Sequence, residues 1–184
     1  SMHSKTILYF IIGILLSDIL KGQCEDFIIE LPYNSADNTE DPGSTFGEGD
    51  DWYNNWMEAQ SEDVAYKLTL DEQRTLYIDT CDPLTDFDTM LAIKSSCYDS
   101  SSLYEIDDRL GDNVCVGSGT TDTYPATFEG LTLDSGTYYI IVEGFSSAVG
   151  SYGIAIGAVP EIIGSSIASD DSYIEILFND PIYT

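Results

Sequence analysis

Histidine occurs once, at His3, and lysine and arginine together occur only six times against 33 acidic residues, for a formal net charge of −27. No base lies between Gln23 and Tyr66, and none follows Arg109. A polypeptide this negative repels phosphate backbones and anionic lipid head groups, which excludes nucleic acid as a partner. Lack of a histidine beyond position 3 removes the general base of a Ser-His-Asp or Cys-His nucleophile. The chain also has no Gly-x-Ser-x-Gly elbow, no P-loop and no His-Glu-x-x-His. Asp88-Thr89 is followed by Met90, so an aspartic-protease signature is missing as well. Acids suitable for a glycosidase pair are plentiful, but abundance is not placement. An enzyme is therefore not expected within these residues.

Long apolar runs are scarce too. Ile7 to Leu16 is the longest, broken only by Gly13, preceded by Lys5 and followed by a small, polar flank at 17–22. That run is short for a membrane span and reads as the helical core of a secretory signal over residues 1–22. No membrane association is expected once it is removed, and the protein is expected to be secreted or held at the cell surface. Acylation of Cys24 is the weaker reading, because Lys21-Gly22-Gln23 suits a lipoprotein signal badly. The chain is expected to be the front piece of a longer protein.

Cys24, Cys81, Cys97 and Cys115 make an even count in an exported chain, which points to two disulfides with three possible connectivities. Cys97 and Cys115 flank one acidic stretch and are expected to pair, leaving Cys24 with Cys81. Zinc is disfavoured by the lack of a close Cys-x-x-Cys.

What is present is a steady alternation of apolar and polar residues. Val64, Tyr66, Leu68 and Leu70 form one face; Leu76 and Ile78, then Leu91 and Ile93, then Tyr138, Ile140 and Val142, then Tyr152, Ile154 and Ile156 repeat it. Polar turns such as 71–73 and 134–136 separate these runs. No amphipathic helix is apparent after residue 22. Short strands between turn signals predict an all-β fold, an antiparallel β-sandwich of jelly-roll-like character. Residues 23–62 read as an acidic extension packing on a sandwich at 63–158. Residues 159–184 read as a linker with renewed alternation at Ile174, Ile176 and Phe178.

Residues 43–157 resemble the bacterial pre-peptidase C-terminal domain family. The resemblance rests on Gly43-Ser44-Thr45 with Gly47 and Asp50-Asp51, on Asp63-Val64-Ala65-Tyr66, and on Phe87-Asp88-Thr89 with Leu91. Asp107-Asp108, Gly136-Thr137-Tyr138-Tyr139, Val142-Glu143-Gly144 and Gly150-Ser151-Tyr152 complete it. The stretch 110–124 is longer than the family pattern. Residues 162–184 are similar to the opening strands of an Ig-like surface-protein repeat. The resemblance implies a secreted, non-catalytic sandwich that accompanies enzymes or adhesins.

Three roles follow as expectations. The first is an accessory or adhesion module of a larger secreted or surface protein, binding an extracellular glycan or protein. The second is an ancillary domain of a secreted hydrolase, such as a protease, whose catalytic domain lies elsewhere. The third is a subunit of a surface filament or layer. Some relatives bind Ca²⁺, and the residues carried over are Asp50, Asp51, Asp88, Asp107, Asp108 and Asp112. Calcium takes six to eight oxygens, so several would have to converge; an Asp at a strand end also serves Asx-turns without any metal. Trp52, Tyr53 and Trp56, set among Asn54, Asn55 and acids, are the candidate ligand-binding rings. Burial as a plug over the sandwich is the alternative, and the favoured one.

Overall fold

The computed structural model describes residues 24–41, 43–52, 61–97, 101–107, 124–160, 162–167 and 174–178. The leader, Tyr53, Trp56, Asp108, Asp112 and Cys115 lie outside these residues. Eleven strands and one 3-10 turn, Ser35–Asp37, make up the described secondary structure. The strands are β1 (Phe27–Ile29), β2 (Tyr33–Asn34), β3 (Val64–Leu70), β4 (Arg74–Asp79), β5 (Thr89–Lys94) and β6 (Tyr104–Ile106). They continue with β7 (Thr127–Leu133), β8 (Gly136–Gly144), β9 (Ala155–Ala158), β10 (Ile162–Ile167) and β11 (Ile174–Phe178).

Two sheets form an all-β sandwich. One has the order β1-β3-β8-β5-β6 and the other β2-β9-β4-β7. Alternation along the strands decides which side chains meet between them. Val64, Tyr66, Leu68 and Leu70 of β3 join Leu91 and Ile93, Ile140 and Val142, Leu76 and Ile78, and Ile154 and Ile156 in one buried cluster. Each such side chain stabilises the fold by roughly 1.5–3 kcal/mol through removal from water.

Pairing is antiparallel throughout except at one edge. β1 runs parallel to β3, with Phe27 opposite Tyr66 and Ile29 opposite Leu68. Parallel neighbours require a long connection, and the chain supplies one: after β1 it crosses at Pro32 to the other sheet, where Tyr33 pairs with Ile156, and it pairs with β1 as β3, the strand that starts at Val64. Residues 27–34 thus add a strand to the edge of each sheet. β10 and β11 form a separate two-stranded antiparallel sheet, Ile167 opposite Ile174.

A buried carboxylate ties these segments together. Asp41 is 8% exposed. Its Oδ2 accepts from the hydroxyls of Tyr33 at 2.7 Å and Tyr66 at 2.8 Å, and its Oδ1 accepts from the Gly43 N–H at 2.8 Å. The Tyr66 hydroxyl also meets that of Tyr152 at 2.7 Å, and the Tyr152 N–H donates to the Gly43 carbonyl at 2.7 Å. Gly43 has φ +56°, and a Cβ there would run into the Tyr152 carbonyl oxygen, so only glycine fits. Phe27 stacks on Tyr66 with ring centroids 5.4 Å apart.

The disulfide arrangement differs from the expected pairing of Cys97 with Cys115 and Cys24 with Cys81. Cys24 is bonded to Cys97, and Cys81 is also disulfide-bonded. The reason lies in the sheet order. The residues just before β1 and just after β5 both reach the outer face of the five-stranded sheet, where Cys24 and Cys97 pack against the same small cluster. The bond encloses a sequence separation of 73 residues, a constraint on the unfolded chain of about 4 kcal/mol in the loop-entropy picture.

Asp41→Ala is expected to lower the unfolding free energy by about 2–4 kcal/mol, because it leaves buried tyrosine hydroxyls without their charged acceptor. Tyr33→Phe, which removes one outlying donor, is expected to cost about 1 kcal/mol. Urea titrations read both values.

Candidate functional site

The outer face of the five-stranded sheet is covered by Trp52, which belongs to the acidic segment before β3, described at 43–52 and 61–63 and called the strap. Where β3, β8 and β5 lie side by side, the outward row is Ala65, Ile141 and Ala92, an isoleucine between two small residues. Trp52 lies on that cluster, 6% exposed, its ring 5.2 Å from that of Tyr139. The Lys94 ammonium, on a side chain 1% exposed, sits 5.8 Å from the indole centroid. Lys67 sits 6.0 Å from the Tyr139 ring and pairs with Glu25 at 3.1 Å. Such cation–ring contacts strengthen when desolvated. The indole of Trp52 is thereby turned onto protein.

Three hydrogen bonds fix the strap. The Gly47 N–H donates to Glu62 Oε2 at 2.6 Å, the Asp63 N–H to the Gly49 carbonyl at 2.8 Å, and the Trp52 N–H to Asp63 Oδ2 at 2.9 Å. Asp63 is 2% exposed. Burial pushes its carboxyl up to about 7, opposed by the Trp52 N–H and assisted by the charges of Asp50, Asp51 and Asp26. Asp26 is also raised, by burial first; its hydrogen bond from the Ala65 N–H pulls the other way, and Asp51 and Glu25 add to the rise. Its Oδ2 accepts that N–H at 2.7 Å.

The sequence-selected acids separate into two groups. Asp50 and Asp51 are exposed and stand near Asp26 and Asp63, at the β1–β3 edge. Asp88 precedes β5 and Asp107 follows β6, at the opposite side of the same sheet. Among the described residues no group of three or more His, Cys, Asp or Glu is arranged to hold a metal ion.

Asp41, Asp63 and Asp26 were not selected from sequence as members of any site. Gly43, whose positive φ is part of the Asp41 arrangement, was the nearest signal. Also unselected was a cleft of about 580 Å³ on the four-stranded sheet, lined among others by Pro32, Asn34, Asp37, Tyr77 and Gly157.

No family model matches the chain, and no curated protein matches it. Among solved structures, the crystal structure of the pre-peptidase C-terminal domain of a collagenase from Bacillus anthracis is similar at 11% sequence identity. The match covers 74% of this chain and 99% of that one, with a TM-score of 0.41.

The raised Asp63 carboxyl predicts the direction of a pH effect. A group that binds its proton more tightly folded than unfolded contributes stability below the unfolded value, 3.8, and loses it as pH rises through about 7. Melting temperature is expected to fall between pH 5 and pH 8, and Asp63→Asn, which keeps an acceptor for the Trp52 N–H, is expected to flatten that fall. Scanning calorimetry of both proteins across this range provides the check.

Proposed function

We propose that the sandwich is a non-catalytic accessory module of an exported protein, of the kind that accompanies a secreted hydrolase. One observation carries this reading: residues that the family resemblance singles out are engaged, through side chain or backbone, in holding the sandwich together. Tyr152 and Gly43 belong to the Asp41 arrangement. The Thr89 hydroxyl meets that of Thr80 at 2.6 Å and accepts from the Ala126 N–H at 3.0 Å. The Gly144 N–H donates to Ser61 Oγ at 2.7 Å, and a Cβ on Gly144 would meet the Ala148 carbonyl. The Ser151 N–H donates to Asp86 Oδ1 at 2.8 Å. Asp63 holds the strap.

Residues so engaged make a frame and leave interaction to the outer faces. Exported placement agrees with the disulfides; among the described residues no helix is long and apolar enough to cross a membrane.

The test has two parts. The full chain is assayed against casein, gelatin, chromogenic esters and chromogenic glycosides, with no turnover expected. It is then fused to a hydrolase domain and compared with that domain alone. The fusion is expected to raise apparent affinity for an insoluble polymer about tenfold or more through effective concentration, with unchanged kcat on a short soluble substrate. Turnover by the chain itself, or identical kinetics on the polymer, overturns the reading.

A further inference from the structure

The cleft on the four-stranded sheet is built by an omission in the middle of a row of side chains. Tyr77 of β4 pairs with Gly157 of β9. Pro32 flanks β9 on its other side, next to the Tyr33–Ile156 pair. Nothing lies within 4 Å of the position a Cβ would take on Gly157. Two rings, Pro32 and Tyr77, therefore border an open space whose floor is strand backbone. Their strands are separated by two inter-strand spacings, about 9–10 Å. The volume of about 580 Å³ is that of a small-ligand site.

The ring of Tyr77 is held in place, its hydroxyl donating to Asp79 Oδ2 at 2.7 Å. Polar groups gather at the end nearest the 3-10 turn. Asn34 accepts the Ala36 N–H through Oδ1 at 3.0 Å, so its amide nitrogen faces the task of donor, and Asp37 brings an exposed carboxylate acceptor. Val159 and Pro160 border the cleft as well.

We infer that this slot binds one ring of a neutral polysaccharide, seated over Gly157 between Pro32 and Tyr77. A pyranose has C–H faces that suit an aromatic wall, whose face is electron-rich, and a rim of hydroxyls that suits an amide donor and a carboxylate acceptor. Charge selects within the class. The described half-buried bases, Lys67 and Arg74, are paired with Glu25 and Glu72, Lys94 is buried, and none of them lines the slot. The surrounding field is negative, so a carboxylated or sulfated sugar is repelled. This inference rests on the accessory-module reading and names the material such a module would hold.

The test uses the full chain with insoluble cellulose, insoluble chitin, soluble β-glucan, polygalacturonate and gelatin, read by depletion from solution and affinity electrophoresis. Retention by at least one of the three neutral polysaccharides is expected, with none by polygalacturonate. Gly157→Leu fills the slot where no atom stands in the way, and is expected to weaken retention about tenfold with an unchanged melting curve. Tyr77→Ala is expected to do the same by removing the wall. Retention on gelatin alone would overturn the inference and put a polypeptide in the slot. Failure of all three neutral polymers, or wild-type retention by Gly157→Leu, would also overturn it. If the slot fails in this way while the hydrolase fusion still gains affinity for its polymer, the accessory reading stands; if the fusion gains nothing, that reading falls as well.

Discussion

The Asp41 carboxylate gathers four stretches of chain that are far apart in sequence. Tyr33 comes from the edge of one sheet, Tyr66 from the other, Gly43 from the strap and Tyr152 from the approach to β9. Burying a carboxylate is costly unless it is well hydrogen-bonded; here three donors meet it, two of them phenols from the core. The geometry that satisfies the charge also sets where the strap leaves the sandwich and where β2 can pair. Burial, followed by the hydrogen bond to Asp41, pushes the Tyr33 hydroxyl well above the usual phenol range, against the opposing effect of the bond from Asn38. Tyr66 is likewise raised, by burial first. These phenols therefore remain donors across ordinary conditions.

Much of the sandwich was legible because its longer strands bury one face. Val64, Tyr66, Leu68 and Leu70, or Tyr138, Ile140 and Val142, announce themselves at a period of two. Phe27-Ile28-Ile29, an unbroken apolar run in a segment closed by Pro32, also reads as a short strand, but its outward isoleucine, 71% exposed, hides which face is buried. Its parallel pairing follows from the path of the chain, which no local pattern records. The cysteine pairing was illegible for a related reason. Four cysteines give three connectivities, and the choice rests on which strand ends share a face, a property of sheet order.

The site was less legible than the fold. An Asp among many acids carries no mark showing that it will be buried, so Asp41 and Asp63 looked like any other carboxylate in the tract. The slot was harder still, since its key residue is a glycine whose contribution is a missing side chain. Trp52 shows the converse: a conspicuous ring among polar neighbours packs on Ala65, Ala92 and Ile141, where small residues on adjacent strands leave room for an indole.

The bond between Cys24 and Cys97 gives the molecule a load path. Tension arriving from the N-terminal side crosses the sulfur bridge and enters the chain at the end of β5, which is paired to β8 on one side and β6 on the other. The segment between the two cysteines, which includes the thin edge strands β1 and β2, is bypassed and cannot be drawn out like thread from a seam. A chain bridged this way resists peeling at β1 and β2, and the force falls first on β5, which has a neighbour on each side.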